Sequence, residues 1–251
     1  MSNTSYQAQN PDSIRHLFSS IASRYDLGNA MLSGRLHRRW NRYLVERTLL
    51  STPPREYLDL CTGTGDIAQL AVKLLPKDLP YRTMMYLIDF CPEMLQNAEK
   101  KFCEAAADRM DFQFTVADAQ DLPLPDQSLD CITIAYGIRN IADPYLCLKE
   151  CYRVLRPGGR IGILELTRPE HPLLKWGHGF YLRRFVPLMG RLLTANKEAY
   201  SYLQQSIQYF IAPHTLASMM GSAGFCSVEV ESLTGGIASL FTAQKPLKLP
   251  K

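Results

Sequence analysis

The spacing of apolar residues changes along the chain at two consecutive prolines, Pro53 and Pro54. Before them, apolar residues recur at the spacing of one helix face: Ile14, Leu17, Phe18 and Ile21. This spacing predicts helices from Asp12 to about Leu50. After the prolines, short apolar runs alternate with helical stretches that end at proline or glycine. The change predicts a helical N-terminal segment followed by an alternating α/β core.

Five strands separated by helices are predicted in that core. The predicted strands span Glu56–Cys61, Met84–Phe90, Phe112–Ala117, Leu129–Tyr136 and Arg160–Thr167. The predicted helices span Ile67–Leu75, Pro92 to about Ala107, and a stretch between Asp143-Pro144 and Pro157-Gly158-Gly159. Because strands alternate with helices, we expect right-handed crossovers and a parallel, doubly wound sheet.

The last third of the chain departs from this alternation. Residues 169–212 predict inserted helices, and another helix is expected at about 214–223. Two further strands, Phe225–Ser232 and Ala238–Gln244, flank a Gly235-Gly236 turn. The expected fold is α/β, with a doubly wound, mostly parallel seven-stranded sheet, N-terminal helices and a helical insertion before the last two strands. This pattern resembles the Rossmann-like class I methyltransferases.

The domain organisation follows from the same boundaries. Residues 1–11 are expected to form a flexible arm, and residues 12–251 a single domain. Within it we distinguish an N-terminal helical cap (12–52), a cofactor-binding core (53–168), a helical insertion (169–212) and a C-terminal helix with a strand pair (213–251).

Composition narrows the class of protein. The chain has 251 residues, of which 46% are hydrophobic and 21% charged, so a collagen, a disordered chain and a disulfide-stapled miniprotein are excluded. Seven cysteines without CxxC spacing, and an N-terminus without an apolar signal region, predict a cytoplasmic protein with reduced thiols. The net charge of +4 does not demand a nucleic-acid partner.

Residues suited to binding a ligand follow the carboxyl ends of four predicted strands. Ligands of open α/β sheets bind beyond the carboxyl ends of the strands. The first end carries Asp59, Gly63, Thr64 and Gly65, whose glycines let a ligand approach the backbone. Ala68 occupies the third glycine position of a dinucleotide-binding motif, which disfavours a dinucleotide.

The other strand ends favour a nucleoside. Asp89 could accept hydrogen bonds from a ribose diol, and Asp118-Ala119 could receive an adenine amine. The loop Tyr136–Asn140 lies where a substrate would meet the cofactor. Taken together, these ends predict S-adenosylmethionine as the methyl-donating co-substrate. No metal is expected, since Cys147 and Cys151 lack further ligands at suitable spacing.

Two segments resemble one particular family. They are YDLGNAMLSGRLHRRW at residues 25–40 and RVLRPGGRIGILELT at residues 153–167. These segments, together with LDLCTGTGD and YGIRN, resemble the menaquinone/ubiquinone biosynthesis C-methyltransferases. The resemblance implies methyl transfer to a ring carbon of a polyprenylated quinol. It also implies that Thr64, Asp89, Asp118 and Ala119 contact the cofactor and that Tyr25, Arg139 and Asn140 lie near the reacting ring.

The candidate catalytic residues have distinct expected roles. Arg139 is always charged, so it is expected to stabilise a developing phenolate rather than to act as a base. Asn140 and Tyr25 are expected to hold a water that accepts the ring proton. His37 is not included among the candidates.

The sequence allows more than one interpretation of two surface segments and of the function. Arginines interleave with apolar residues between Arg35 and Arg47, which indicates either a helix on an anionic membrane or a solvated face. Residues 171–195 are a candidate lid over the prenyl tail. A methyltransferase of another small molecule, a nucleic-acid methyltransferase and a non-catalytic scaffold are the competing functions. We expect no nucleic-acid partner, and self-association is left open.

Overall fold

The fold is built around one seven-stranded sheet. The computed structural model describes residues 11–22, 33–102, 110–181, 184 and 197–247. The strands are β1 (Glu56–Leu60), β2 (Thr83–Asp89), β3 (Met110–Val116), β4 (Leu129–Ala135), β5 (Leu155–Leu166), β6 (Cys226–Leu233) and β7 (Ala238–Gln244). Their order is β3-β2-β1-β4-β5-β7-β6. The first five are parallel, whereas β7 runs antiparallel to both β5 and β6, which confirms the predicted sheet.

Eight α-helices surround the sheet in the described part of the chain. They are α1 (Pro11–Ile21), α2 (Leu36–Val45), α3 (Asp66–Leu74), α4 (Pro92–Phe102), α5 (Pro144–Val154), α6 (Pro172–Phe180), α7 (Lys197–Tyr209) and α8 (Pro213–Ala223). A π-helical turn, Glu46–Leu50, continues α2, and 3-10 turns span Ile138–Asn140 and Thr234–Gly236. The predicted extension of α4 to about Ala107 lies partly outside the described residues.

Alternating residues of the central strands face two separate cores. Leu58 and Ile132 pack with α5 and α8 on one side, while Tyr57 and Cys131 pack with α2 and α3 on the other. Successive side chains of a strand point to opposite faces, so a sheet covered on both faces needs apolar residues at consecutive positions. This explains why the strands occur in the sequence as short continuous apolar runs.

Strand β5 begins earlier than predicted. It starts at Leu155 and passes through Pro157-Gly158-Gly159, where its register with β4 shifts. Gly158 has a φ of 81°, and its N–H donates to the carbonyl of Lys245 beyond the end of β7. Glycine tolerates this conformation, so the segment forms an irregular part of the strand rather than ending the pairing.

The arginine-rich helix α2 does not present its apolar side to solvent. Trp40 and Leu44 are buried in the second core, and Arg47 forms ion pairs with Glu229 and Glu231 on β6. The hydroxyl of Tyr43 donates to Glu231 at 2.5 Å. Trp40 and Leu44 therefore face the sheet, which favours a solvated arginine-rich face over a membrane-bound helix here, although Leu36 at the start of α2 is exposed. Within the described residues, no helix is long and apolar enough to cross a bilayer.

Candidate active site

Two neighbouring cavities lie beyond the carboxyl ends of β1, β2 and β4. The β2 cavity, of about 130 Å³, is lined by residues that include Asp89, Asp118 and Asn140. The helical cavity, of about 150 Å³, lies under α2, α6 and α7 and is lined by residues that include Thr64 and Arg139. Four residues line both cavities: Cys61, Gly63, Ala135 and Tyr136. The cavities therefore meet at the loops that follow β1 and β4.

The loop after β1 turns sharply through three left-handed residues. Cys61, Gly63 and Gly65 have φ values of 57°, 54° and 82°. A Cβ on Gly63 would meet no atom within 4 Å, so this residue faces open space. A Cβ on Gly65 would lie 2.9 Å from the ring of Phe102. Gly65 therefore supports the loop from behind, against α4, and lies outside the lining of both cavities, so its contact with the cofactor stays a prediction.

Asp59 holds this loop from within the sheet. Its buried carboxylate accepts hydrogen bonds from the hydroxyls of Thr62 at 2.7 Å and Thr133 at 2.9 Å. Burial raises its pKa to about 6, and these hydrogen bonds oppose the rise. Asp59 borders the helical cavity, but these bonds give it a structural task in shaping the loop.

Asp89 joins the ends of β1 and β2. One carboxylate oxygen accepts from the N–H of Gly63 at 2.8 Å, and the other from the N–H of Cys91 at 2.9 Å. Burial raises the pKa of Asp89 to about 6, while its backbone hydrogen bonds lower it. The side chain is 6% exposed and borders the β2 cavity.

Asp118 and Ala119 form another part of the wall of the β2 cavity. The carboxylate of Asp118 accepts from the backbone N–H of Gln120 at 2.9 Å and from its side-chain amide at 3.0 Å. The amide oxygen of Gln120 accepts from the N–H of Asp143, at the start of α5. The predicted adenine-contacting pair is thus held beside the loop after β4.

The loop after β4 carries a buried ion pair. Arg139 is 4% exposed, and its Nη1 donates to the carbonyl of Tyr136 at 2.7 Å and to Oε1 of Glu165 at 2.5 Å. The backbone N–H of Arg139 donates to Oε2 of the same glutamate at 3.2 Å. The guanidinium is therefore fixed at the wall of the helical cavity.

Asn140 lies on the other side of this loop, in the wall of the β2 cavity. Its side-chain oxygen accepts from the hydroxyl of Tyr202 on α7 at 2.9 Å. The hydroxyl of Tyr136, whose φ is 57°, donates to Asn41 on α2 at 2.9 Å. Helices from the N-terminal segment and from the insertion thus position the loop from two directions.

Most of the predicted site residues therefore come together. Thr64 and Arg139 border the helical cavity, Asp89, Asp118, Ala119 and Asn140 border the β2 cavity, and Gly63 borders both. Tyr25 lies outside the described residues. Among those described, no group of three or more His, Cys, Asp or Glu side chains could hold a metal ion.

Sequence reasoning missed several residues of the site. Glu165, Asn41 and Tyr202 bond directly to the loop after β4. Glu165 had a visible signal, since it is the one acid in the apolar run Ile161–Leu166. Asn41 and Tyr202 had none, because both lie on amphipathic helices far away in the chain.

The helical cavity also contains two histidines. His37 shares a 2.5 Å hydrogen bond between its Nδ1 and the hydroxyl of Ser33. His178 comes from α6, and burial lowers its pKa. Neither histidine was among the candidates proposed from the sequence.

Comparisons with known proteins agree with this geometry. The profile of the ubiE/COQ5 methyltransferase family matches residues 5–245. A demethylmenaquinone methyltransferase from Protochlamydia amoebophila is 46% identical over 98% of this chain and 100% of its own length. Another, from Thermus thermophilus, is 42% identical over 92% of this chain and 100% of its own length. A ubiquinone/menaquinone biosynthesis C-methyltransferase from Cellvibrio japonicus is 37% identical over 93% of this chain and 91% of its own length.

Solved structures support the fold. A SAM-dependent methyltransferase from Thermotoga maritima superposes with a TM-score of 0.61 at 20% identity, covering 92% of this chain and 99% of that one. One from Aquifex aeolicus gives 0.55 at 18% identity, covering 94% and 98%. The long sequence matches, the joined cavities and the sheet order lead to one conclusion: the chain belongs to the ubiE/COQ5 methyltransferase family.

Proposed function

We propose that this protein transfers a methyl group from S-adenosylmethionine to a ring carbon of a polyprenylated quinol in menaquinone biosynthesis. The observation that carries the proposal is the meeting of the two cavities at Cys61, Gly63, Ala135 and Tyr136. A donor in the β2 cavity and an acceptor in the helical cavity would face each other there. Because two of the relatives described above are named demethylmenaquinone methyltransferases, the naphthoquinol is the first substrate to test, and a ubiquinone precursor the second.

The residues of the β2 cavity fit S-adenosylmethionine. Asp89 offers a buried acceptor for the ribose hydroxyls, and Asp118 with Ala119 offers a site for the adenine. Gly63 borders both cavities and leaves open space above the loop, and Thr64 beside it borders the helical cavity, so it would contact the methionine end where the two cavities meet. The bound co-substrate supplies an electrophilic sulfonium methyl. The protein's contribution is to align the two reactants and exclude water.

The acceptor chemistry requires a reduced ring. An aromatic carbon is nucleophilic only when donating oxygens activate it, so the quinol is the substrate and the oxidised quinone is not. Arg139 would stabilise negative charge on a ring oxygen, because a guanidinium stays protonated and donates strongly. Asn140, which borders the β2 cavity next to the point where the cavities meet, would with Tyr25 hold the water that takes up the ring proton.

The wall of the helical cavity suits a substrate with an isoprenoid tail. The apolar residues Leu166, Leu203, Ile207 and Ile237 line this cavity together with the loop after β1. Tyr181, at the end of α6, also borders this cavity. Within the candidate lid, His178 and Tyr181 line this cavity, whereas Leu173, Trp176 and Phe180 are exposed. Phe185 lies outside the described residues.

The test is methyl transfer from labelled S-adenosylmethionine to short-tailed acceptors under reducing conditions. The acceptors are demethylmenaquinol, a demethylated benzoquinol precursor of ubiquinone and the oxidised naphthoquinone. We expect turnover of the quinols only, and of the naphthoquinol fastest. Equal methylation of the oxidised quinone would refute the mechanism. Transfer to tRNA, DNA or an unrelated small molecule instead would favour the competing methyltransferase functions, and binding of cofactor without transfer would favour a scaffold.

We also propose that the protein, working in the cytoplasm, binds peripherally to an anionic membrane that holds its substrate. The support lies on α6, where Leu173, Trp176 and Phe180 are 70%, 69% and 57% exposed. The rings of Trp176 and Phe180 stack with centroids 6.2 Å apart. Lys175 on the same helix and Arg38 on α2 are exposed and add positive charge to the two helices that supply His178 and His37 to the helical cavity.

A further inference from the structure

Glu165 is a buried carboxylate at a position where the fold calls for an apolar residue. It lies on β5 directly after Ile163 and Leu164, which are fully buried, and is itself 0% exposed. Burying a charge costs free energy, and replacing a buried ion pair with apolar side chains is often neutral or stabilising. Burial raises the pKa of Glu165, and the neighbouring Arg139 guanidinium opposes that rise. Stability therefore gives no reason for an acid here.

Within the described residues, the hydrogen-bond donors to Glu165 are Arg139 and Leu166. Its Oε1 accepts from Nη1 of Arg139 at 2.5 Å and from the N–H of Leu166 at 2.7 Å. Its Oε2 accepts from the backbone N–H of Arg139 at 3.2 Å. Glu165 therefore accepts hydrogen bonds from both the side chain and the main chain of Arg139.

We propose that Glu165 is the positioning residue that sets the orientation of the Arg139 guanidinium toward the acceptor in the helical cavity. Nη1 carries two hydrogens, and their acceptors are Glu165 and the carbonyl of Tyr136. Because the guanidinium is planar, fixing two donor directions at one nitrogen fixes the plane of the group. The carboxylate also balances the positive charge before any charge develops on the ring. This inference rests on the proposed function, in which Arg139 stabilises that developing charge.

A matched control is available at the opposite end of the sheet. Asp130, at the start of β4, accepts from the backbone N–H groups of Arg55 and Glu56 at 2.9 Å each and from Nη1 of Arg156 at 2.6 Å. Its donor set is the same as that of Glu165: two backbone N–H groups and one arginine Nη1. It lines neither cavity, so Asp130→Asn perturbs a similar ion pair away from the chemistry.

The experiment compares Glu165→Gln, Arg139→Met, the double variant and Asp130→Asn with the unchanged protein. The measurements are single-turnover methylation of the reduced quinol, KM for the quinol and affinity for S-adenosylmethionine. We expect Glu165→Gln to lower the rate by roughly 30- to 100-fold, with cofactor affinity changed by less than about threefold. Asp130→Asn should stay within about twofold of the unchanged protein, since its ion pair is partly exposed and lies at the opposite end of the sheet.

The double variant separates positioning from general structural support. If Glu165 acts through Arg139, the double variant should be no slower than Arg139→Met alone, within about threefold, because coupled residues are not additive. Losses that multiply would overturn the proposal, as would a normal rate in folded Glu165→Gln. If Glu165→Gln does not fold, Glu165→Asp keeps the charge but shortens its reach, and a rate within about twofold of normal would also overturn the proposal.

The activity of the unchanged protein separates a failure of the proposed function from a failure of the role proposed for Glu165. If it fails to methylate any quinol, the proposed function is wrong. If it methylates the quinol and the Glu165 variants do so at the same rate, only the role of Glu165 is wrong.

Discussion

Asp59 and Asp89 are both buried carboxylates that accept two hydrogen bonds, but they occupy different parts of the site. Asp59 accepts from two threonine hydroxyls and shapes the loop after β1, whereas Asp89 accepts from two backbone N–H groups at the wall of the β2 cavity. Burial raises the pKa of each to about 6. Since 6 lies within the range in which enzymes are commonly assayed, this shift has a measurable consequence.

Binding of S-adenosylmethionine should weaken as the pH falls through 6. Above that pH the Asp89 carboxylate is ionised and accepts from the ribose, and below it a proton occupies one oxygen. Calorimetric titration should give a dissociation constant about tenfold higher at pH 5 than at pH 7, as expected for binding that requires one ionised group. An equal affinity at the two pH values, together with an unchanged affinity in Asp89→Asn, would remove Asp89 from the site.

Asp89→Asn provides the control for that titration. Its affinity at pH 7 should be lower by about 1.5–3 kcal/mol, the scale of hydrogen bonds to a charged group. Its dependence on pH should be weaker than that of the unchanged protein. Asp59→Asn identifies any remaining dependence, because Asp59 titrates in the same range.

Arg139→Ala should lower kcat by roughly a hundredfold or more, the scale of one lost electrostatic donor, and leave cofactor affinity almost unchanged. Arg139 borders the helical cavity, whereas Asp89 and Asp118 border the β2 cavity. Lysine should restore little, because it lacks the planar fork. Single-turnover kinetics and cofactor titration on the same sample provide the measurement.

The Arg139→Ala variant also leaves Glu165 buried without its counter-ion. Its free energy of unfolding should therefore fall by about 3–5 kcal/mol, which is the cost of breaking a buried ion pair. The kinetic comparison is made at a temperature where circular dichroism shows it folded. A joint loss of cofactor binding and turnover in the folded variant would place Arg139 in the cofactor pocket instead.

At the scale of elements, the loops after β1 and β4 touch at a point that admits no side chain. A Cβ on Gly137 would lie 2.4 Å from the Cβ of Cys61. Cys61 itself has a left-handed φ of 57° and lines both cavities. The close contact of the two loops is therefore what brings the two cavities together.

Gly137→Ala should destabilise the protein by about 1–3 kcal/mol, as overpacking does, and weaken cofactor binding. Gly221→Ala is the matched control, because a Cβ at that helical position meets nothing within 4 Å. It should be neutral or stabilise by up to about 1 kcal/mol. Denaturant unfolding and cofactor titration give both quantities.

A second substitution tests whether a clash with Cys61 causes the loss of stability in Gly137→Ala. Adding Cys61→Gly removes the clashing Cβ, and glycine accepts a left-handed φ without strain. The double variant should regain most of the stability lost by Gly137→Ala. If it does not, the clash with Cys61 is not the reason for the loss.

At the scale of the whole molecule, the apolar surface lies on α6 and the arginine-rich helix is docked on the sheet. Trp40 on α2 donates to the hydroxyl of Thr234 at 3.0 Å, in the turn between β6 and β7. A Cβ on Gly235 in that turn would lie 2.7 Å from Leu174 of α6. The two helices therefore lie against the same turn, and Trp176 and Phe180 of α6 are exposed to solvent.

Membrane binding should depend on α6. We expect the protein to bind vesicles containing phosphatidylglycerol more tightly than phosphatidylcholine vesicles, with binding that falls as salt screens the charges. The double variant Trp176→Ser/Phe180→Ser should lower the partition constant by about tenfold or more, because it removes two exposed aromatic anchors. Vesicle sedimentation measures both effects.

Leu247→Ser is the control for the loss of an exposed apolar residue. Leu247 is 81% exposed and lies beside Gly158, where an added Cβ would come within 2.8 Å of it, near the start of β5 and at the other end of the sheet. Its substitution should leave vesicle binding unchanged. Binding that is equal for neutral and anionic vesicles, or insensitive to the α6 substitutions, would contradict the membrane proposal.

The sequence by itself determined the architecture and most of the candidate site. Alternating apolar runs and helical stretches identified all seven strands, and their boundaries mostly agree within two residues. The acids and glycines after β1, β2 and β3 indicated the edge of the sheet at which the two cavities lie. These features are readable because helix and strand periodicity are local, and because parallel strands bring their carboxyl ends to one edge.

Only the tertiary structure decided which groups are partners. Glu165 lies 26 residues from Arg139, and Tyr202 lies 62 residues from Asn140, so no spacing along the chain connects them. Trp40 has the pattern of an interfacial anchor, but packing against the sheet buries it. Strand β5 continues through Gly158 because a partner segment after β7 accepts its irregular geometry. Hydrogen bonds and burial of this kind depend on elements that meet only after folding, and for that reason the sequence did not reveal them.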